Sequence, residues 1–394
     1  MISPVPTHPT DAGNRARVLS MSTILREIGH DVYFMHVEQE WGDAQAMRAN
    51  WGDRYIPVEY NWQQDFARMV ARRIAWSVWR DRAYIHGLDE WYDPAIDTAI
   101  DALDRRVGFD AVIVEYVFMS RALLRFRNDV LKVIDTHDVF ANRHRQYLRN
   151  NQPPVWYSCS PREETKGLNR AHAVLAIQPD EAAEFRARIA RPVVTVGHAV
   201  ALQAIPATGV VAGRILSVGS ANTINVASLK WFVAEVLPQI RAQQPGVELA
   251  LAGIVCRRFP ETPGVRLLGT MEDLAPAYAS AEVVVNPIQF GTGLKVKTLE
   301  ALGYARALVT TPCGAAGLEE GAGSAFKVAS DARSFADEVL RLLADRQQSQ
   351  TLGAAGYRFA TGYNDSVRAS LAGVFDGGDT SIWRARARAR LGPA

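Results

Sequence analysis

The chain has 394 residues, of which 48% are apolar and 22% charged, and its net charge is +2. That length is too great for one small core, so two domains are expected in a globular protein. The near-neutral balance excludes a global pull toward nucleic acid or an anionic membrane, and no apolar run approaches the ~18 residues that span a bilayer.

Three cysteines, Cys159, Cys256 and Cys313, are scattered and show no CxxC or Cys/His spacing. They read as a reduced, cytoplasmic set with no zinc site. Cys313 lies near a phosphate-type loop, where a small buried residue is the simpler reading. Met1 is followed by Ile-Ser-Pro-Val-Pro, without a basic or apolar leader pattern, so no secretory signal is expected. Met1-Ile2-Ser3 reads as the end of a first strand, short of its beginning.

Residues 4–17 form a Pro/Gly loop leading into an amphipathic helix over about Asn14–Ile28, and Val32–Val37 is the next strand. That order begins a parallel α/β sheet. Gly13, beside the helix N-terminus, either lets backbone approach a ligand closely or is an ordinary turn glycine. Residues 40–100 hold six of the nine tryptophans. Trp62, Phe66, Val70 and Ile74 recur every fourth residue, with Arg68, Arg72, Arg73, Arg80 and Arg82 interleaved. Over 62–85 this predicts a basic, aromatic, amphipathic helix. Such a face suits an anionic membrane surface or a lipid-borne acceptor, or else packs its aromatics on the domain core.

Phe109–Tyr116 and Val130–Asp135 read as buried strands. His137 follows the second, where ligands of open α/β sheets bind; a core or capping histidine is the alternative. Ala171–Ile177 is a further strand, Asp180–Ile189 a helix, and Pro192–Val196 the last strand of this half. Ala201–Gly213 is weakly patterned and reads as a linker. The strand–helix alternation then restarts, with strands at Arg214–Gly219, Val247–Ala252, Val265–Gly269, Val283–Pro287, Ala307–Thr311 and Ala325–Ala329. Helices are expected at Asn225–Gln243, Glu272–Ser280, Asp331–Asp345 and Gln347–Phe359. The tail alternates arginine over residues 383–390 and reads as solvated chain, or as a phosphate or membrane contact. The expected domains are 1–205, 206–365 and a C-terminal segment 366–394.

The stretch Asn286–Leu302 carries the clearest chemistry. A buried strand, a glycine-bearing turn and a helix N-terminus aim backbone N–H groups and a helix dipole at one point, which favours an anion. Lys295 and Lys297 add positive charge, and Glu300 lies about two turns into the helix.

Together with Val218-Gly219-Ser220, Leu251-Ala252-Gly253, Gly269–Leu274 and Ala307–Leu318, this stretch resembles the group 1 (GT4-like) retaining glycosyltransferases. Pro4–Arg15 and Asp135-Thr136-His137-Asp138 fit the same family, so the resemblance covers about residues 2–365. It implies a GT-B fold, two Rossmann-like parallel-sheet domains facing a cleft. It also implies a nucleotide-diphosphate sugar as substrate, a sugar or lipid-linked acceptor, and no metal or other cofactor. By position, Glu300 would hold the ribose. Pro287 and Gly291, Thr292, Gly293 and Leu294 would face sugar and diphosphate, with Gly219, Ser220 and Gly253 alongside. Gly269, Thr270 and Leu274 would line the base, Gly13 would face the phosphates, and His137 the transferred sugar.

Retention in this family is explained by front-face attack, in which the departing phosphate oxygen takes the acceptor proton. His137 is therefore expected to position and to stabilise charge. Two departures stand out. Thr292 occupies the place, eight before Glu300, where many relatives carry an acid. Ser220 and Asn225 stand where many carry Arg and Lys, so Lys295 and Lys297 are expected to meet the diphosphate. The expected role is assembly of a bacterial surface polysaccharide, glycolipid or glycoconjugate, in the cytoplasm or peripherally on the inner face of the membrane. A non-hydrolysing sugar-nucleotide epimerase and a non-catalytic nucleotide- or partner-binding member of the fold are the alternatives. A Rossmann oxidoreductase is disfavoured, because Pro4–Arg15 lacks Gly-x-Gly-x-x-Gly.

Overall fold

The computed structural model describes residues 1–61, 82–206 and 209–375. Their strands are short, apolar and separated by helices, the pattern of parallel sheets covered on both faces. Two such sheets form, each in its own unit. Unit 1 comprises Met1–His198 with the described residues from Val367 onward, and unit 2 comprises Ala199–Ser366.

In unit 1 the strands are β1 (Ile2–Ser3), β2 (Phe34–Val37), β3 (Tyr55–Val58), β4 (Ala111–Glu115), β5 (Leu131–Asp135), β6 (Ala173–Ala176) and β7 (Val193–Thr195). They lie in the order β3-β2-β1-β4-β5-β6-β7, all parallel. The helix Gly13–Glu27 buries Val18, Met21, Ile24 and Leu25, the one-face spacing that lays it on the sheet. The order reverses between β1 and β4. Loops leaving those two strands at their carboxyl ends diverge there, which opens a crevice for ligands.

Unit 2 repeats the plan with β8 (Arg214–Val218), β9 (Glu248–Ala252), β10 (Val265–Gly269), β11 (Val283–Asn286), β12 (Leu308–Thr310) and β13 (Lys327–Val328). The order is β10-β9-β8-β11-β12-β13, again all parallel, and the reversal lies between β8 and β11. Phe232, Ile240, Leu249, Leu251, Val283 and Phe335 form the centre of its core.

Three differences from the sequence reading have local causes. The single helix expected over Asn225–Gln243 is α-helical over Thr223–Trp231 and Leu237–Gln243, with a π segment at Phe232–Val236 between them. Pro238 has no N–H to complete the ladder, so the preceding turn widens. The last helix runs over Arg346–Phe375 rather than ending near Phe359. No proline or paired glycines interrupt it. Among residues 40–100, Ala44–Trp51 and Ala95–Val107 are helical and β3 is an edge strand. The aromatic composition there hid ordinary elements. Residues 62–81 of the expected basic aromatic helix, and the arginine tail at 383–390, lie outside the described residues; Arg82–Tyr84 forms one 3-10 turn.

Candidate active site

In unit 2 the candidate donor residues all lie at the carboxyl ends of strands. Gly219 and Ser220 follow β8, Gly253 follows β9, and Gly269 ends β10 with the exposed Thr270 next. Leu274 caps the helix Ala275–Ser280. Pro287 follows β11, and the turn Gly291–Leu294 precedes the helix Val296–Gly303. Gly291 and Gly293 have φ of 126° and 72°, a region closed to most side chains, so the turn requires glycine there.

The loop is held from within. Lys295 Nζ donates to the carbonyls of Gly291 (3.3 Å), Thr292 (2.9 Å) and Gly293 (2.5 Å). Carbonyls that converge on an ammonium fix the course of the turn. Lys297 Nζ lies 2.7 Å from Glu300 Oε2, and the Tyr278 hydroxyl donates to Glu300 Oε1 at 2.9 Å. Both carboxylate oxygens are thus oriented, and each keeps a second lone pair for a hydroxyl donor. Tyr278 stacks on Tyr304 at 4.1 Å. Burial, followed by the Glu300 charge, raises the Tyr278 hydroxyl well above its ordinary value, so it stays a donor. Asn286 Nδ2 donates to Thr298 Oγ1 (2.9 Å), which donates to the Gly314 carbonyl (2.7 Å). These bonds tie the end of β11 to the helix and to the loop after β12. Burial raises the Cys313 thiol above its usual value, against the Lys295 charge.

At the place where many relatives carry basic residues, Asn225 Nδ2 donates to the Ser220 hydroxyl and carbonyl at 3.0 and 3.1 Å. Asn222 caps that helix through Asn225 N at 2.8 Å.

In unit 1, Gly13 is the first residue of its helix, and His137 lies just beyond β5. His137 belongs to a cluster that composition alone did not single out. Glu115 and Asp135 are opposite one another at the ends of β4 and β5. Arg17 grips both Asp135 oxygens, at 2.6 and 2.7 Å, and donates to the carbonyls of Val196 and Gly197. His137 Nε2 lies 2.6 Å from Glu115 Oε2 and 3.3 Å from Asp135 Oδ2. All four side chains are buried.

Burial, and then the Asp135 charge, drives Glu115 well above the carboxylate range. Burial alone would raise Asp135 too, but the Arg17 guanidinium outweighs it and holds Asp135 below its ordinary value. The two neighbouring carboxyls are thus pushed in opposite directions, Glu115 up and Asp135 down. Burial lowers His137 to about 4, so its ring is neutral at pH 7. Nε2 faces both carboxyl groups, with Glu115 the nearer. Ligand atoms of Glu115, Asp135 and His137 lie within 4.8 Å of one another, the spacing of a metal site. The Arg17 guanidinium already occupies both oxygens of Asp135, which does not suit a divalent ion there.

His137 and Tyr116 have φ of 58° and 71°. Positive φ in two such residues costs on the order of 1–3 kcal/mol each, strain that clusters at functional sites. Their rings stack at 4.1 Å. The missed signal was two acids ending adjacent buried strands, with an arginine on the face of the first helix.

Two doubly wound parallel sheets with such strand-end sites define the GT-B fold. Residues 212–345, which lie within unit 2, match the family described as glycosyl transferases group 1. Among solved structures, sucrose-phosphate synthase from Thermosynechococcus elongatus is similar at a TM-score of 0.65 and 16% identity, over 98% of this chain and 99% of that one. Anabaena HepE, in complex with UDP and glucose, is similar at 0.63 and 11% identity, over 94% and 98%. TarM is similar at 0.57 and 12% identity over 71% of this chain, which spans 57% of TarM's length. No curated protein sequence matches the chain. No helix among the described residues is long and apolar enough to cross a membrane.

Proposed function

We propose that the protein transfers a sugar, with retention, from a nucleotide-diphosphate sugar to a sugar or lipid-linked acceptor, in the building of a bacterial surface polysaccharide, glycolipid or related glycoconjugate. The observation that carries this is Glu300. Its carboxylate is oriented by Tyr278 and Lys297 beside a glycine turn at the switch point of the unit 2 sheet. A carboxylate so held accepts both hydroxyls of a ribose, and the turn with its helix N-terminus suits the diphosphate. HepE in its complex with UDP and glucose supports a donor of that class.

In this reaction the bond from the anomeric carbon to the diphosphate oxygen breaks, and a bond to the acceptor hydroxyl forms on the same face. The leaving phosphate oxygen takes the acceptor proton, so no side-chain base is needed. Lys295, Lys297 and the helix N-terminus meet the charge that develops on the diphosphate, without a metal. Lys295 would do so by keeping the loop closed, as well as by its own charge. Gly13 is assigned to the phosphates and His137 to the transferred sugar. Being neutral, His137 acts through a hydrogen bond and not through charge.

The test is a thermal-shift panel of UDP-, GDP-, dTDP- and ADP-type donors. One class should stabilise the chain, by about 2.7 kcal/mol at ~100 times its dissociation constant. Glu300→Ala should weaken that donor at least about tenfold, or ~1.4 kcal/mol. Unchanged nucleotide affinity in Glu300→Ala would sink the site assignment. Isomerisation of the donor alone would point to an epimerase.

A further inference from the structure

A cavity of about 270 Å³ lies in unit 1 at the carboxyl ends of β1, β2 and β3. Pro4 and Val5 line it after β1, and Gln39 and Glu40 after β2. Tyr60, Trp91 and Trp156 make the aromatic wall. The two indoles lie 6.4 Å apart at 60°. Trp156 stands edge-on to Tyr116 at 4.9 Å, and Tyr116 is the ring stacked on His137. One aromatic ladder therefore connects the cavity to the strained end of β5.

The polar members are held in place. Gln39 Nε2 donates to the Trp91 carbonyl at 2.7 Å, and Arg15 Nη2 lies 3.2 Å from Glu40 Oε2. Three kinds of occupant can be weighed against this lining. An alkyl chain would lay hydrocarbon against the Glu40 carboxylate and add no donor to the one Arg15 supplies, which is costly. A phosphate would meet like charge at Glu40. A pyranose presents C–H groups from one face and hydroxyls around its rim, so it satisfies the indoles and the Gln39 and Glu40 acceptors together. The volume lies below the ~300 Å³ at which drug-sized pockets begin, which suits one ring rather than a chain of them.

We infer that this cavity binds the terminal sugar ring of the acceptor, stacked on Trp91 and Trp156 with its hydroxyls on Gln39 and Glu40. The acceptor is then a saccharide, whatever carries it. The inference rests on the transferase reading for the ring's role as acceptor, but binding of the ring can be measured alone.

The experiment uses the full chain and a panel of methyl glycosides of glucose, galactose, mannose, rhamnose and N-acetylglucosamine. Tryptophan fluorescence and saturation-transfer NMR read binding, and a parallel thermal shift with UDP-, GDP-, dTDP- and ADP-type nucleotides reads the donor site. At least one glycoside should quench the fluorescence and receive saturation on its ring protons. Trp156 is 37% exposed but packs on Tyr116, Phe118 and Phe140, so the melting temperature of Trp156→Ala is read beside its binding. That variant should weaken the glycoside about tenfold or more. Glu40→Gln should weaken it less, and nucleotide shifts should stay as in the parent. Three results would overturn the inference: silence of every glycoside while a nucleotide binds, unchanged glycoside affinity in Trp156→Ala, or binding of octyl glucoside through its alkyl chain with no response to methyl glucoside. A glycoside that binds while no nucleotide does would uphold the sugar site and remove the transferase reading.

Discussion

In the proposed function, Glu300 is a carboxylate held in place before its ligand arrives. Tyr278 and Lys297 take one oxygen each, so the group does not have to choose a rotamer on binding, and less conformational entropy is lost. Tyr278→Phe tests this. Loss of the hydroxyl should weaken the stabilising nucleotide by about three- to tenfold, near the ~1 kcal/mol of one hydrogen bond, with a small fall in melting temperature. If the affinity holds while the melting temperature falls, Tyr278 serves the core alone. The sequence offers Glu300, Lys297 and His137 as candidates because they follow strand-end motifs. Tyr278 was not legible, since a tyrosine in a short helix gives no periodic signal of what its hydroxyl reaches. Nor was the cluster behind His137. Arg17 and Asp135 are 118 positions apart, and only the sheet order brings them together. The sequence reading gave His137 a charge-stabilising part, but its charge state depends on burial, which a sequence does not display.

At the scale of elements, both sites are made of loops that leave parallel strands where the strand order reverses. The repeated strand–helix alternation implied parallel sheets, and the strands of unit 2 fall close to their expected bounds because each is a short apolar run ended by a turn residue. Gly253 is one of those endings. Its φ is 98°, and a side-chain carbon there would lie 2.5 Å from the Gly219 carbonyl oxygen. Backbone cannot swing aside as a flexible side chain can. Gly253→Ala should therefore destabilise unit 2 by about 2–4 kcal/mol, through strain and overpacking together. Equilibrium denaturation would show it; a loss under ~0.5 kcal/mol would mean the β8 and β9 loops can separate at little expense. The elements of residues 40–100 were illegible for the opposite reason. Tryptophan and arginine dominate the composition there, and neither residue type distinguishes a short edge strand from a helix.

On the scale of the whole molecule, unit 1 is discontinuous in sequence, whereas unit 2 is a single run. The final residues of the long helix return to the first unit. Leu371, Val374, Val367 and Phe375 are buried, Phe375 meets the His30 ring at 5.6 Å, and Arg368 pairs with Glu27 at 2.6 Å. Each fully buried apolar side chain contributes about 1.5–3 kcal/mol, so these few residues amount to much of the stability of an ordinary domain. Synthesis runs from the N-terminus, and domains fold as their residues emerge. Unit 2 has all its residues once Ser366 is out, while unit 1, begun first, still lacks a piece of its own surface. A chain that ends at Ser366 and is released should accordingly protect unit 2 from protease and leave unit 1 open to cleavage. Equal protection of both would mean that the returning segment adds little. The half that is translated first is thus the half that is finished last.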